Sequence, residues 1–323
     1  MKALVLIGGF GTRLRPITYS VPKQLIPLAG KPMLYHVLDL LPDDVDEVVL
    51  ATGYKSATIE RYVRDHPPRL PVRTVPEASP LGTGGGMKNA GDGMSEPFFL
   101  LNSDVIGAAD LGAMAAAHRR SPRLGTMALA EVEDTRPYGV AALGPDDRIT
   151  TFVEKPDPEH APSHWINAGL AVWSRVVLDR IPADRPVSFE QEVVPGLIAE
   201  GLYGFRLGGF WDDAGTRERL LRSQRFLFDA GRAAGVGVPA GAHGTGPVAT
   251  MAGAVARGAE FGPYVTLGAD ARVEPGAYVE DAVVMDGAVI GQGSRVVRSI
   301  VGPGMRVDAG RRLADTLVGE APA

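Results

Sequence analysis

The chain has 323 residues, 45% of them apolar and 22% charged, a composition ordinary for a folded protein with room for two cores. A net charge of −5 supplies no basic field for nucleic acid, and the lack of cysteine excludes disulfides, thiolate metal sites and cysteine nucleophiles. The N-terminal apolar run is too short for a signal sequence and no run reaches membrane-spanning length, so a cytoplasmic protein with no membrane or nucleic-acid partner is expected.

Ala3-Leu4-Val5-Leu6-Ile7 is short, apolar and closed by glycines, and reads as a buried strand. It runs into Gly8-Gly9-Phe10-Gly11-Thr12-Arg13-Leu14-Arg15-Pro16, with Pro22-Lys23 shortly after. Such glycines let the backbone turn sharply and bring N–H groups close to phosphate oxygens or a base edge, and Arg13 and Lys23 add positive charge. The loop suits a polyphosphate whose bond to one phosphorus is being broken; a glycine cluster after a strand also serves as a plain tight turn. Two familiar fingerprints fail here. Leu14 stands where a third dinucleotide glycine belongs, and Gly30-Lys31 is followed by Pro32 where an ATPase loop needs Ser or Thr.

Residues 30–41 read as a helix, with Leu34, Val37, Leu38 and Leu41 on one stripe; Glu47 to Thr52 as a strand; Lys55 to Arg64 as a helix; and Val72 to Val75 as a third strand. Strand and helix in alternation argue for a mainly parallel sheet covered on both faces, with ligands outside the carboxyl ends of the strands. Pro80-Leu-Gly-Thr-Gly-Gly-Gly86 reads as a loop. The strand from Pro97 to Asn102 ends at Ser103-Asp104, an acid that suits either a cap on the helix starting near Asp110 or hard-oxygen ligation of Mg²⁺. A turn at 144–147 leads to Thr150-Thr-Phe-Val-Glu-Lys-Pro156, and 166–173 is strand-like. Ser188 reads as a helix cap with Gln191 as its capping-box partner. A strand from Phe205 to Gly209 then meets Trp211-Asp212-Asp213-Ala214-Gly215-Thr216, and 216–231 reads as one helix.

Residues 233–247 are rich in Gly, Ala and Pro without apolar periodicity and mark a linker between a domain at 1–232 and a tail at 248–323. In the tail Val255, Phe261, Leu267, Val273, Val279 and Met285 recur every six positions; the phase slips at Ile290, recovers at Val296, slips again at Val301 and continues through Val307 and Leu313. This is the hexapeptide signal of a parallel β-helix. His243 precedes the first clear repeat, which argues against acyl transfer within the coils.

Gly8 to Pro16 with Pro22-Lys23, Leu101-Asn102-Ser103-Asp104, Val153-Glu154-Lys155-Pro156, Asn167-Ala168-Gly169 and Trp211 to Thr216 together resemble the signature of the sugar-1-phosphate nucleotidylyltransferases, or NDP-sugar pyrophosphorylases. The tail is similar to the left-handed β-helix that many members carry. The resemblance implies an α/β, Rossmann-like nucleotidyltransferase fold and Mg²⁺-dependent transfer of a nucleotidyl group from an NTP to a sugar 1-phosphate, releasing pyrophosphate. It implies Arg13 and Lys23 as catalytic cations. Leu6, Gly8, Gly9, Gly11, Thr12, Gly82, Thr83 and Gly85 would bind nucleotide; Gly139, Glu154, Lys155, Asn167 and Gly169 would bind the sugar phosphate; Asp104 and Asp213 would ligate the metal, leaving Asp212 in a variable position. Length, tail and the Leu81 to Lys88 segment look most like mannose-1-phosphate guanylyltransferases, which points to GTP and mannose 1-phosphate, with thymidylyl, cytidylyl or adenylyl transfer to glucose 1-phosphate or a sugar-like phosphate as the alternative. A non-catalytic sensor of sugar nucleotides would have lost the arginine, lysine or acids that this chain retains. The role expected of the β-helix is oligomerisation or regulation, with a homo-oligomer formed through the tail.

Overall fold

The computed structural model describes residues 1–120, 123–183 and 185–320. The last three residues of the expected tail, 321–323, lie outside the described residues. The chain divides into two compact units, one of Met1–Gly9 and Val37–Trp211, the other of Phe10–His36 and Asp212–Ala323.

The first unit is built on a nine-stranded sheet. Four strands, β1 (Lys2–Ile7), β2 (Glu47–Thr52), β3 (Val72–Pro76) and β4 (Phe98–Asn102), run parallel in the order β3-β2-β1-β4. Successive strand residues point to opposite faces, yet Ala3, Leu4 and Val5 are all fully buried, so both faces of β1 are covered. That accounts for runs of uninterrupted apolar residues in place of alternation. Beyond β4 the sheet turns antiparallel: β8 (Trp165–Trp173) pairs with β4, with β5 (Gly125–Glu131) and, at one residue, with β6 (Gly139–Leu143). β7 (Ile149–Glu154) forms a hairpin with β6 across the expected turn, and β9 (Leu202–Arg206) lies parallel to β5. Helices α1 (Ser56–Asp65), α2 (Gly82–Ala90), α3 (Leu111–Arg119) and α4 (Val194–Gly201) belong to this unit, and the cap on α3 is Asp110, whose Oδ1 accepts from Ala113 N at 2.8 Å. One core joins Leu4, Val49, Met87, Phe98, Leu129, Trp173 and Phe189.

Two local expectations change. The helix expected over 30–41 is only Met33–Leu38 and follows a two-residue strand, Lys31–Pro32, because Gly30 sits at φ +89° and Pro32 has no N–H to continue a helix backwards. The glycine-rich stretch expected as a loop is α2, for a reason given below.

In the second unit, α5 (Arg217–Asp229) starts as expected, with the Thr216 hydroxyl accepting from Arg219 N at 3.3 Å. The fully buried Gln224 of α5 donates to Tyr264 O at 2.7 Å and accepts from the Thr266 hydroxyl at 2.6 Å, and Arg225 pairs with Asp281. These contacts tie the helix to the expected parallel β-helix, whose short strands stack in sheets of five, five and three. Val265 pairs with Ala282 and Glu260 with Tyr278, steps of 17 and 18 residues, and the shorter step explains why the six-residue phase slips. Phe261, Leu267, Val273, Val279, Met285, Ile290, Val296, Val301 and Val307 are buried as expected, and Leu313 half-buried. Val255 is not: it is 50% exposed and bridges to the exposed Arg272, so its neighbour Ala256, 1% exposed, fills that corner. Among the described residues no helix is long and apolar enough to cross a membrane.

Candidate active site

A cavity of about 590 Å³ opens in the first unit, lined by Gly82, Thr83, Asn102, Tyr138, Gly139, Glu154, Lys155, Asn167 and part of the segment 186–192. Its floor is a bulge in β8, where the register with β5 shifts between Asn167 and Ala171. Gly169 holds φ +75° there, and a Cβ on it would stand 2.6 Å from Asn102 Nδ2, so only glycine lets the end of β4 fit against the bulge. The Gly169 N–H donates to Asn167 Oδ1 at 3.0 Å, and Trp211 pins the bulge by donating from Nε1 to Ala168 O at 3.0 Å.

Glu154 and Lys155 are adjacent, and in a regular strand they would face opposite ways. Lys155 instead takes the left-handed conformation, φ +50°, while its N–H donates to Tyr138 O at 2.9 Å. Both side chains therefore reach the same cavity, with Lys155 Nζ 3.2 Å from Glu154 Oε1. A non-glycine residue held this way costs about 1–2 kcal/mol, which marks the position as one where side-chain placement outweighs backbone preference. A Cβ on Gly139 would meet Phe152 Cζ at 2.3 Å and Glu154 Oε2 at 2.7 Å, so that glycine gives the carboxylate its room.

The opposite wall is the start of α2. Gly84 N and Gly85 N both donate to Val187 O, at 2.9 and 3.4 Å, and Val187 N donates to Leu81 O at 2.8 Å. A Cβ on Gly84 would lie 2.9 Å from Val187 Cγ1. The glycines thus serve close packing against a segment a hundred residues away, which is why the stretch is helical. Thr83 accepts from Phe189 N at 2.9 Å and donates to Glu190 Oε2 at 2.6 Å. Ser188 does cap the turn that follows, accepting from Gln191 N at 3.4 Å, but the side chain reaching back to Ser188 N is Glu192, at 3.0 Å. Residues Phe189–Val193 form a π-helix, whose wider turn moves the capping-box partner one place on.

Burial pushes the Glu190 carboxyl above its ordinary range, opposed by the Thr83 hydroxyl. The folded protein therefore holds this proton more tightly than the unfolded chain, and the stability linked to it is lost as pH rises through the folded pKa. Glu190→Gln keeps an acceptor for Thr83 and removes the charge, so its Tm should exceed that of the parent at pH 8 and match it near pH 4. Thermal unfolding across that range checks the difference; a gap independent of pH would show that Glu190 carries no buried charge.

Burial also raises the Glu77 carboxyl, as it does that of Asp212. Its Oε2 accepts from Leu81 N at 3.2 Å, and its oxygens stand 2.5 Å from a Cβ placed on Gly86 and 3.7 Å from one placed on Gly53. The same point on Gly53 is 3.6 Å from Gly8 Cα, and that on Gly86 is 3.8 Å from Leu6 Cδ2. A half-buried acid thus lies against Gly53 and Gly86, which in turn stand close to Gly8 and Leu6 at the end of β1.

In the second unit Phe10 to Lys23 forms a compact turn. Gly11 takes φ +62° and its carbonyl accepts from Leu14 N and from the Thr18 hydroxyl, both at 2.9 Å. Leu14 is buried while Thr12, Arg13 and Arg15 are exposed, and Lys23 is half-buried. Arg13 Nη2 lies 3.9 Å from Asp213 Oδ2, and a Cβ on Gly215 would fall 2.5 Å from that same nitrogen. Asp213 Oδ1 accepts from Arg219 Nη1 at 2.7 Å and from Gly215 N at 3.3 Å. Asp212 is fully buried and paired with Arg222 at 2.7 Å, so this neighbour has a structural partner of its own.

Of the residues singled out by sequence, Gly82, Thr83, Gly139, Glu154, Lys155 and Asn167 share one cavity, with Gly169 directly behind it. Gly85 does not line it; a Cβ there would face Leu81 and Arg185. Gly8 and Gly9 are exposed at the end of β1, and Asp104 is half-buried just past β4. Asn102, Tyr138, Glu77 and Glu190 were not singled out. Asn102 ends the apolar run before Ser103-Asp104, a position that could have flagged it; Glu190 had no local signal beyond a helix start.

The chain belongs to the nucleotidyl transferase family, whose model matches residues 2–230; a second model, the GMPPB C-terminal domain, matches 246–322. It is similar to the mannose-1-phosphate guanylyltransferase of Mycobacterium tuberculosis (strain ATCC 25618 / H37Rv), at 37% identity over 96% of this chain and 82% of that protein. Mannose-1-phosphate guanylyltransferase 1 of Arabidopsis thaliana is 36% identical over 99% of this chain and 91% of that one. Among solved structures, HddC from Yersinia pseudotuberculosis superposes with a TM-score of 0.59 at 27% identity, covering 70% of this chain and 99% of that chain.

Proposed function

We propose that this chain transfers a guanylyl group from GTP to mannose 1-phosphate in the presence of Mg²⁺, giving GDP-mannose and pyrophosphate in the cytoplasm. The observation that carries the reading is the cavity in which Glu154, Lys155 and Asn167 meet: an acid and an amide for hydroxyls beside an ammonium for a phosphate. The acceptor's phosphate oxygen attacks the α-phosphorus in line, so positioning and charge neutralisation carry the rate and no protein nucleophile is called for. Lys155 docks the acceptor phosphate, Glu154, Asn167 and the Gly139 backbone hold the sugar, and Arg13 and Lys23 offset charge on the triphosphate. Leu6, Gly8, Gly9, Gly11, Thr12, Gly82 and Thr83 serve the nucleotide. Residues 1–232 form the catalytic domain, 233–247 the linker and 248–323 the tail.

Mg²⁺ takes one or two carboxylates and completes its shell with phosphate oxygens and water. Among the described residues no group of three or more His, Cys, Asp or Glu could hold a metal unaided, and hard-oxygen ligands such as Asp104 and Asp213 suit an ion that arrives with the nucleotide. When bound it would neutralise phosphate charge.

Guanine favours a carboxylate at Glu77, because its adjacent N1–H and N2–H groups can both donate to one, whereas adenine offers an unprotonated N1. Glu77→Gln should cut kcat/KM for GTP by about tenfold to a hundredfold, the worth of a charge-assisted hydrogen bond, with little change for other NTPs. An unchanged ranking of nucleotides would remove Glu77 from base recognition. The reaction itself is tested by pyrophosphate release with each of the five NTPs against a panel of sugar 1-phosphates; turnover with another pair would reassign the substrates, and none would favour a sensor. Three of the six exposed large apolar side chains among the described residues lie close together in sequence, Val236 and Val238 in the linker and Val255 at the start of the tail, and support self-association there, which light scattering on the purified protein decides.

A further inference from the structure

We propose that the last two coils of the β-helix are a working part of the nucleotide loop, with Gly302 and Gly319 as positioning residues that set Pro16 and Ile17 and, through them, Arg13 and Lys23. The inference rests on the catalytic reading above and adds to it a task for the tail.

All the groups concerned belong to the second unit. A Cβ on Gly319 would stand 3.0 Å from Ile17 N, 3.0 Å from the Pro16 carbonyl carbon and 3.1 Å from Pro16 Cγ. One on Gly302 would stand 3.1 Å from Ile17 Cδ1 and 2.9 Å from Val318 O. Neither glycine has a positive φ, in contrast to Gly276, Gly287, Gly293, Gly304 and Gly310 of the same coils. Those five answer to backbone conformation; Gly302 and Gly319 answer to space. Gly302 N donates to Val318 O at 2.8 Å, so the two glycines sit on neighbouring, hydrogen-bonded rungs and press on the same pair of residues.

What they press on is placed to matter. Ile17 is fully buried. The next residue, Thr18, donates its hydroxyl to Gly11 O at 2.9 Å, and that carbonyl also accepts from Leu14 N, closing the turn that carries Arg13. A Cβ on Gly11 would lie 2.9 Å from Thr18 Cγ2 and 3.4 Å from Lys23 Cβ, so Thr18 and Lys23 flank Gly11 without slack. Backbone movement at Pro16-Ile17 therefore passes into the spacing of both cations, and close-packed contacts of this kind transmit strain instead of absorbing it. Misplacement of about 1 Å in a group that must meet a transition state costs up to about a hundredfold in rate.

The test compares Gly319→Ala, Gly302→Ala and Ile17→Val with Gly237→Ala, a glycine in the same unit with an ordinary φ and nothing within 4 Å of its Cβ position. Gly319→Ala should lower kcat tenfold or more while KM for the sugar phosphate stays within twofold, and amides 11–20 should exchange with deuterium faster. Ile17→Val, which removes the methyl under Gly302 and should fold even where a glycine variant does not, should show the same pattern in smaller measure. Gly237→Ala should match the parent. Wild-type kcat and unchanged exchange in the loop for both Gly319→Ala and Ile17→Val would overturn the inference, as would a rate loss shared by Gly237→Ala. Silence of the parent on every substrate would sink the catalytic reading alone, because exchange in the loop still decides whether the coils hold it.

Discussion

Arg13→Ala is expected to lower kcat by about a thousandfold, the low end of what an arginine contributes to phosphoryl transfer, with secondary structure, Tm and KM for the sugar phosphate near those of the parent. The separation of rate from stability follows from its setting. The side chain is 55% exposed and its nearest carboxylate oxygen, on Asp213, is 3.9 Å away, so the pair adds little to folding. A Cβ on Gly215 would stand 2.5 Å from Arg13 Nη2, so any larger residue there displaces the free end of the guanidinium. Gly215→Ala should accordingly reproduce part of the loss with Arg13 still present. Arg13→Lys should recover little, since an ammonium cannot offer two parallel donors to a phosphate. Single-turnover measurement of pyrophosphate release separates the chemical step from product release, and an Arg13→Ala rate within threefold of the parent would remove the residue from catalysis.

What could be read from sequence was the part governed by local pattern. Apolar runs mark β1, β2 and β4, a six-residue period marks the β-helix, and a dense run of Gly, Thr, Arg, Pro and Lys marks the turn at 8–23 to which we assign the nucleotide. What escaped depends on distant partners. The glycines of α2 look like a flexible loop until Val187 is seen against them, and Glu190 is an unremarkable helical acid until burial and Thr83 give it a role. Asn102 becomes part of the site only because β8 bulges at Gly169 to admit it. The six-residue period itself does not tell which residue of a coil faces inward, so it marks Val255 where Ala256 fills the corner. The loop at 10–36 also packs into one unit with the chain from Asp212 onward, a grouping that no linear reading of domain boundaries contains.

Asp212 and Asp213 are adjacent, identical in chemistry and expected to fail in opposite ways. Asp213 is 16% exposed and accepts from Arg219 and from Gly215 N through one oxygen. Asparagine keeps that oxygen's shape and acceptor character, so Asp213→Asn should fold and melt like the parent. It removes the charge we assign to the metal, and kcat should fall about a hundredfold while the Mg²⁺ concentration for half-maximal rate rises, in keeping with a catalytic carboxylate and not a structural one. Asp212 is fully buried and uses both oxygens, Oδ2 accepting from Arg222 Nε at 2.7 Å and Oδ1 from Asp213 N at 2.9 Å, so an asparagine can keep only one of the two. Burial raises the Asp212 carboxyl despite this pairing, so its charge adds little, and Arg222 is 56% exposed and can turn to water; the cost of the lost hydrogen bond is about 1 kcal/mol, below the range for a pair buried on both sides. Asp212→Asn should therefore lower Tm while the Mg²⁺ requirement stays put. A Mg²⁺ titration and a melting curve on each variant give four results, and only the crossed pattern, rate without stability for one acid and stability without metal dependence for the other, fits the assignment. Loss of stability in Asp213→Asn with an unshifted Mg²⁺ requirement would make it a structural residue like its neighbour.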